Sequence, residues 1–305
     1  MKKLIRIIFL LFVPSGLFGQ LPPFTSHYVL NPLSINPAYA GNRGVFTAAA
    51  FYRNQWVGIK GAPETMSITA DAPLSRDKIG LGMTIVNDRI GVTRETQFNT
   101  DYSYKVGLGN GALSFGLGAG LILTNTAWSD LVVLDPGDEY YLIDSKVFIV
   151  PNFSFGTWYS GQNYFAGLSI PQLVGHKFDF EKNKYVLNNN IANYTYLINT
   201  GYFFDFSQDL GFFPSVLVIV SKGNEILYDI NAHVRIMDRL WVGASYRNNR
   251  AISGMFQFQL TNQLKFAYTY DYDFAKLSTF SSGSHEVMLR FEFRYKVEAI
   301  SPLNF

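Results

Sequence analysis

The chain has no cysteine, which excludes a disulfide framework, a thiolate metal site and a lipoprotein anchor. Charge is sparse as well. Lys, Arg, Asp and Glu together make up 16 % of the 305 residues, against roughly 25 % in soluble domains. A net charge of +2 gives no reason to expect a nucleic-acid partner. Alanine-rich and Glu/Lys-rich helical stretches are missing. Beyond the N-terminus no apolar run reaches about 18 residues, so the rest of the chain offers no membrane-spanning helix. The four histidines, His27, His176, His233 and His285, are scattered one to a segment, a distribution that does not suit a metal site.

What the chain does have is aromatic and glycine residues: 27 Phe, 19 Tyr and 26 Gly. At the N-terminus Lys2, Lys3 and Arg6 lead into an apolar run from Ile7 to Val13, followed by Pro14, Ser15 and Gly16. This is the pattern of a secretory signal peptide, with cleavage expected after Gly19. From residue 45 onward apolar and polar residues alternate. In "EVMLRFEFRYK" (286–296), Val287, Leu289, Phe291, Phe293 and Tyr295 share one face and the charged residues take the other. Period two marks strands, and turn signals divide the chain into about fourteen of them.

The expected strands are 45–52, 64–71, 78–88, 93–106, 112–125, 147–160, 162–173, 192–207, 212–222, 226–237, 240–248, 251–261, 264–274 and 284–296. Tight links such as "DR" (238–239) follow even strands. Long ones, 126–146, 174–191 and 275–283, follow several odd strands. Short turns at one rim and long loops at the other predict an all-β fold, a transmembrane antiparallel β-barrel with both termini periplasmic. Many of these strands exceed the roughly five or six residues usual in globular sheets and suffice for the ~9–11 needed to cross a membrane.

In a barrel the polar faces line the interior. Asp229, His233, Arg235, Arg247, Lys265, Asp271, Glu286, Arg290, Glu292, Arg294 and Lys296 fall there, their signs interleaved as in a cross-strand charge network rather than a one-signed selectivity ring. Inward Gly116, Gly118 and Gly120 leave room for something to pack inside. The segment before the first strand, residues 20–44, is expected to be a periplasmic plug or docking segment. Its Asn31-Pro32 and Asn36-Pro37 start turns, and its apolar residues, Tyr39 among them, need burial. The domain reading is thus 1–19 signal peptide, 20–44 plug or docking segment, 45–296 barrel and 297–305 tail.

Motifs of catalysis are weak. The glycines of "GLGNGALSFGLGAG" (107–120) alternate inside a strand, without the following helix that a phosphate loop requires. "DPGDE" (135–139) and "YDYDF" (270–274) lack the spacing of a calcium loop. His285 beside Ser281, Ser282 or Ser284 would be the only local pairing for a lipid hydrolase, and adjacency does not make a triad. No catalytic residue, cofactor or metal is expected. Candidate partner-binding residues are instead Arg53, Asn54, Gln55 and Trp56, in the link between the first two strands, and the aromatic loop residues Trp128, Tyr140, Tyr141 and Phe178.

"NPLSINPAYAGNRG" and "YRNQWVGIKGAPET" near the start resemble fingerprints of the PorP/SprF family. So, in order, do "KIGLGMTIVNDRIG", "LSFGLGAG", "PNFSFGTWYSGQNYFAGLS", "LWVGASYRN", "YTYDYDF" and "GSHEVMLRFEF". The similarity covers about residues 22–296; the tail "VEAISPLNF" departs from the expected barrel end. The resemblance implies a non-enzymatic outer-membrane barrel of the type IX secretion system of Bacteroidetes. It would support export or surface attachment of large cargo such as gliding adhesins. The implied partners are the C-terminal sorting domain of a cargo protein and periplasmic components of the secretion or motility machinery, with outer-membrane lipid around the barrel. A porin or hydrophobic-solute transporter on the same architecture is the alternative.

Overall fold

The computed structural model describes residues 25–74, 78–130, 144–179, 184–187, 190–222, 226–274 and 279–293. Its strands are β1 (Phe46–Asn54), β2 (Glu64–Leu74), β3 (Ile79–Ile90), β4 (Thr93–Leu108), β5 (Gly111–Thr126), β6 (Phe148–Ser160), β7 (Tyr164–Ile170), β8 (His176–Asp179) and β9 (Lys184–Leu187). They continue with β10 (Thr195–Tyr202), β11 (Phe204–Asp205), β12 (Leu210–Ser221), β13 (Leu227–Ile236), β14 (Leu240–Arg247), β15 (Ala251–Gln259), β16 (Leu264–Asp273) and β17 (Ser284–Phe293).

Strands β8 and β9 form a separate hairpin, and β11 continues β10, so fourteen strands make the wall. Each pairs antiparallel with the next, and the sheet closes where β1 meets β17, from Phe46↔Phe293 to Asn54↔His285. Closure removes the unpaired edge that lipid would not tolerate. The break between β10 and β11 has a local cause. The pairs Gly201↔Ser215 and Phe204↔Phe212 keep one register, which sets Tyr202 opposite Pro214, a residue with no N–H to donate.

Alternation fixes the faces. In β15, Ala251, Ser253, Met255 and Gln257 are buried while Ile252, Phe256 and Phe258 are exposed on the outer surface. In β17, Ser284, Glu286, Met288 and Arg290 point in and Leu289, Phe291 and Phe293 point out. The outer face is apolar and the interior polar, the inverse of a soluble protein and what a bilayer demands.

All fourteen expected strands are present, with ends shifted by a few residues. Two details differ. The link 174–191, expected as a loop, carries the β8–β9 hairpin, whose four-residue strands are too short for period two to stand out. The β3–β4 connection lies at the long-loop end yet is a two-residue turn, Gly91 and Val92, with Gly91 at φ 60°. The tail 297–305 lies outside the described residues.

Candidate functional site

Residues 25–44 lie within the barrel rather than beneath it. Three short 3-10 turns, Ser26–Val29, Pro32–Ser34 and Pro37–Tyr39, carry the chain from the long-loop end of the lumen to the short-turn end. The two Asn-Pro pairs set this geometry. Pro32 and Pro37 occupy the first position of their turns, where a missing N–H costs nothing. Asn36 caps the last turn by accepting the Ala38 N–H at 3.0 Å.

The segment bonds the wall along its whole length. Asn31 donates to Thr69 at 2.8 Å, and Asn36 to the Thr157 carbonyl at 3.0 Å. Ser169 donates to the Ile35 carbonyl at 2.6 Å and Ser103 to that of Ala40 at 2.7 Å. The Gly41 N–H donates to Asp71 at 2.9 Å. Its apolar side chains complete two clusters with the wall: Tyr28 and Ile35 with Leu197, Leu217, Ile219 and Leu227, and Leu30 with Ala49, Phe51, Met255, Ala267 and Met288.

The wall makes room by omitting side chains. A Cβ at Gly116 would overlap the backbone of Ala38, one at Gly80 the carbonyl of Ala40, and one at Gly156 the side chain of Asn36. Of the three glycines expected to leave space, only Gly116 serves the segment. Gly118 and Gly120 are filled by the wall's own Ser154, Asp101, Phe98 and Asn99.

The densest polar contacts form at the long-loop end. Arg53 reaches Asp271 with one guanidinium nitrogen at 2.7 Å and Glu286 with the other at 2.9 Å. Glu286 also receives the backbone N–H groups of Ser26 and His27, at 2.8 and 3.2 Å, and the His27 Nδ1 at 2.7 Å. The Ser26 hydroxyl donates to Asp271 at 3.0 Å, and His27 Nε2 lies 3.1 Å from the Thr269 hydroxyl. Beside them Arg247 pairs with Asp229 at 2.7 Å, and Asn231 donates to the Tyr28 hydroxyl at 2.7 Å. Charges this deeply buried survive only when paired and hydrogen-bonded.

At the short-turn end Arg290 donates to the Leu30 carbonyl at 2.7 Å and to Gln257 at 3.0 Å, and Lys265 pairs with Glu292 at 2.9 Å. Arg43 bonds the Leu30 carbonyl, lies 3.5 Å from Glu292 and stacks over the Tyr39 ring. Arg235 pairs with Asp205 and Asp238 and sits 4.7 Å over the Phe203 ring.

The expected interior residues Asp229, His233, Arg235, Arg247, Lys265, Asp271, Glu286, Arg290 and Glu292 all occupy inward positions. Arg294 and Lys296 lie outside the described residues. Arg53 and Asn54 require a correction: they belong to β1, not to the loop after it. The strand runs on because Arg53 is drawn inward by two carboxylates, and it is 5 % exposed.

The loop proper starts at Gln55 and is fastened on both sides. Trp56 N–H donates to Ser284 and Val57 N–H to the Gly283 carbonyl, while Gly91 N–H donates to the Gly61 carbonyl. Trp56 holds φ 50° in this fastened loop. Next to it Lys60, Glu64 and Arg89 help line an open cavity of about 410 Å³.

Trp128 begins a 3-10 turn near the next long link. There Asp144 accepts the Ser129 N–H and hydroxyl at 3.0 and 2.8 Å, bonds that hold its carboxyl below the ordinary range. Phe178 is on β8, with its side chain outside the described set; Tyr140 and Tyr141 are outside it altogether. Ser26 and His27 were missed by sequence reasoning, because their partners lie more than 200 residues away and no local spacing marks them. Tyr28, one of the segment's apolar residues expected to need burial, is 4 % exposed. Among the described residues, no group of three His, Cys, Asp or Glu side chains is arranged to hold a metal ion.

The closed wall and its apolar outer face are those of an outer-membrane barrel. The family model described as type IX secretion system membrane protein PorP/SprF matches residues 17–291. The chain belongs to the PorP/SprF family. As a member it is an outer-membrane β-barrel of the type IX secretion system. Among solved structures it is similar to the CymD monoaromatic hydrocarbon channel at 10 % identity and TM-score 0.51, covering 92 % of this chain and 96 % of that one. That likeness concerns the fold alone. The outer membrane protein Omp33 of Acinetobacter baumannii aligns at 7 % identity and TM-score 0.49, over 82 % of this chain and 98 % of that one. No curated protein matches the sequence.

Proposed function

We propose that this barrel is a non-enzymatic docking component of the secretion system, working through protein–protein binding rather than conduction. The supporting observation is the occupied lumen. Residues 25–44 begin in a buried charge cluster and bond the wall at many points, an arrangement that opposes free passage of solute. In this reading the partners are the C-terminal sorting domain of a secreted cargo protein and periplasmic secretion or motility components. Cargo is exported or held at the surface through the long loops and the segment's neighbourhood.

Membership of the family supports the secretion role. In the charge cluster the acids and bases are spent on holding the segment, which fits a binding function rather than a nucleophile with its base and orienter. Two measurements test this. Planar-bilayer recording of the full chain is expected to give little steady current, and large stable currents would favour the porin reading. Affinity capture from outer membranes with and without residues 21–44 is expected to change the set of co-purified secretion components. Identical partners from both forms would remove the segment from the docking role.

A further inference from the structure

Between the N-terminal segment and the wall lies a cavity of about 140 Å³. Tyr39, Trp158, Phe165 and Phe213 supply aromatic walls, and Asn199 and Ser215 supply the polar groups. The rings are ordered as a nest: Trp158 stacks on Phe165 at 4.6 Å and 7°, Tyr39 meets Trp158 edge-on at 4.9 Å, and Phe213 lies 6.0 Å from Phe165.

The polar groups are placed as a pair. Asn199 stands opposite Leu217 and Gly201 opposite Ser215, so Asn199 and Ser215 are inward diagonal neighbours on β10 and β12. Such neighbours have Cα atoms about 7–8 Å apart, within reach of one small molecule. The Ser215 hydroxyl is buried without a hydrogen-bond partner among the described residues, and Asn199 is 5 % exposed. Gly167 makes room for two of the lining side chains. A Cβ at Gly167 would overlap the Asn199 carboxamide and come within 2.8 Å of the Trp158 ring.

We propose that this cavity binds one neutral, single-ring phenolic molecule. The size argues for one ring, since an apolar cavity of about 150 Å³ accepts benzene. The chemistry argues for a hydroxyl on it. Asn199 and Ser215 each offer a donor and an acceptor, and leaving the Ser215 hydroxyl buried without a partner is costly. No lining side chain carries a charge, so a carboxylate or an ammonium would be desolvated without compensation. A few convergent polar groups on an aromatic wall are the usual make-up of a small-molecule site. The inference is independent of the docking role, because the cavity lies beside the segment and does not need it to move.

The test is a titration of the purified full chain in detergent micelles with 4-fluorophenol, read by fluorine NMR, with phenol and 4-fluorobenzoate as competitors. Saturable binding of one molecule per chain is expected, displaced by phenol and not by the benzoate. Ser215→Ala should weaken it roughly fivefold, the loss of one hydrogen bond, and Gly167→Ala should abolish it. Heat-modifiable gel mobility checks folding. If Gly167→Ala does not fold, Ser215→Ala, which removes only an unbonded hydroxyl, carries the comparison. Uptake that rises linearly and equally in all forms would mean micelle partitioning over a water-filled cavity and would overturn the proposal, as would equal competition by the benzoate.

Discussion

His27 Nδ1 sits 2.7 Å from Glu286 Oε1, and both side chains are fully buried although 259 residues separate them in the chain. This contact joins the start of the described N-terminal segment to the last strand of the wall. Glu286 is therefore more than one member of a cross-strand pair. It accepts from two consecutive backbone N–H groups, an imidazole and a guanidinium, so removing it leaves four donors buried together.

Glu286→Ala is accordingly expected to destabilise the barrel by about 3–5 kcal/mol, the cost of breaking a buried charge pair from one side. The check is the thermal unfolding midpoint of the detergent-solubilised chain. The same variant should let protease reach residues 25–44 while β17 stays protected. An unchanged midpoint and an uncut segment would show that the cluster does not hold it.

Arg53→Lys tests the fork. One ammonium cannot span Asp271 and Glu286 in the planar two-nitrogen geometry that Arg53 uses. The expected loss is about 2 kcal/mol, the order of one charge-assisted hydrogen bond. Equal unfolding midpoints for the parent and the Arg53→Lys variant would mean that charge alone, without the fork, suffices.

Arg53 also illustrates what sequence can and cannot reveal. The strands were readable because each crosses a two-faced environment, lipid outside and water or protein inside, which imposes period two on nearly every segment. That same period placed Asp271, Glu286 and Arg290 on the inner face. It could not extend β1 to Arg53, since an arginine after an apolar run reads as a strand end until its carboxylate partners are known to sit across the lumen. Nor could it identify Ser26 and His27, whose roles exist only once the barrel has closed around them. The inward glycines were visible, but their separate uses were not: Gly116 receives the segment, whereas Gly118 and Gly120 accommodate neighbours in the wall itself.

That distinction gives a matched pair of substitutions. Gly116→Val places atoms where the Ala38 backbone lies, while a Cβ at Gly254, on the outer face, would meet nothing within 4 Å. Gly254→Ala should leave stability within about 0.5 kcal/mol of the parent. Gly116→Val should expel the lower part of the segment, seen as new protease sites in residues 25–44 and as increased conductance. If both variants behave alike, the close approach at Gly116 is not what seats the segment.

The direction of the segment makes the orientation of the barrel consequential. An even number of strands with short turns at one end places that end in the periplasm, so Ser26 and the charge cluster lie toward the cell exterior and Arg43 toward the periplasm. Because the chain has no native cysteine, single substitutions can be labelled without background. Phe280, 76 % exposed in the link before β17, lies at the long-loop end, and Thr261 lies exposed in the short turn before β16. Phe280→Cys should react with a membrane-impermeant maleimide on intact cells, and Thr261→Cys only after the outer membrane is permeabilised. The reverse pattern would turn the barrel over. It would also place the His27–Glu286 contact at the periplasmic mouth, where a periplasmic partner, rather than a cargo protein outside, would meet the cluster first.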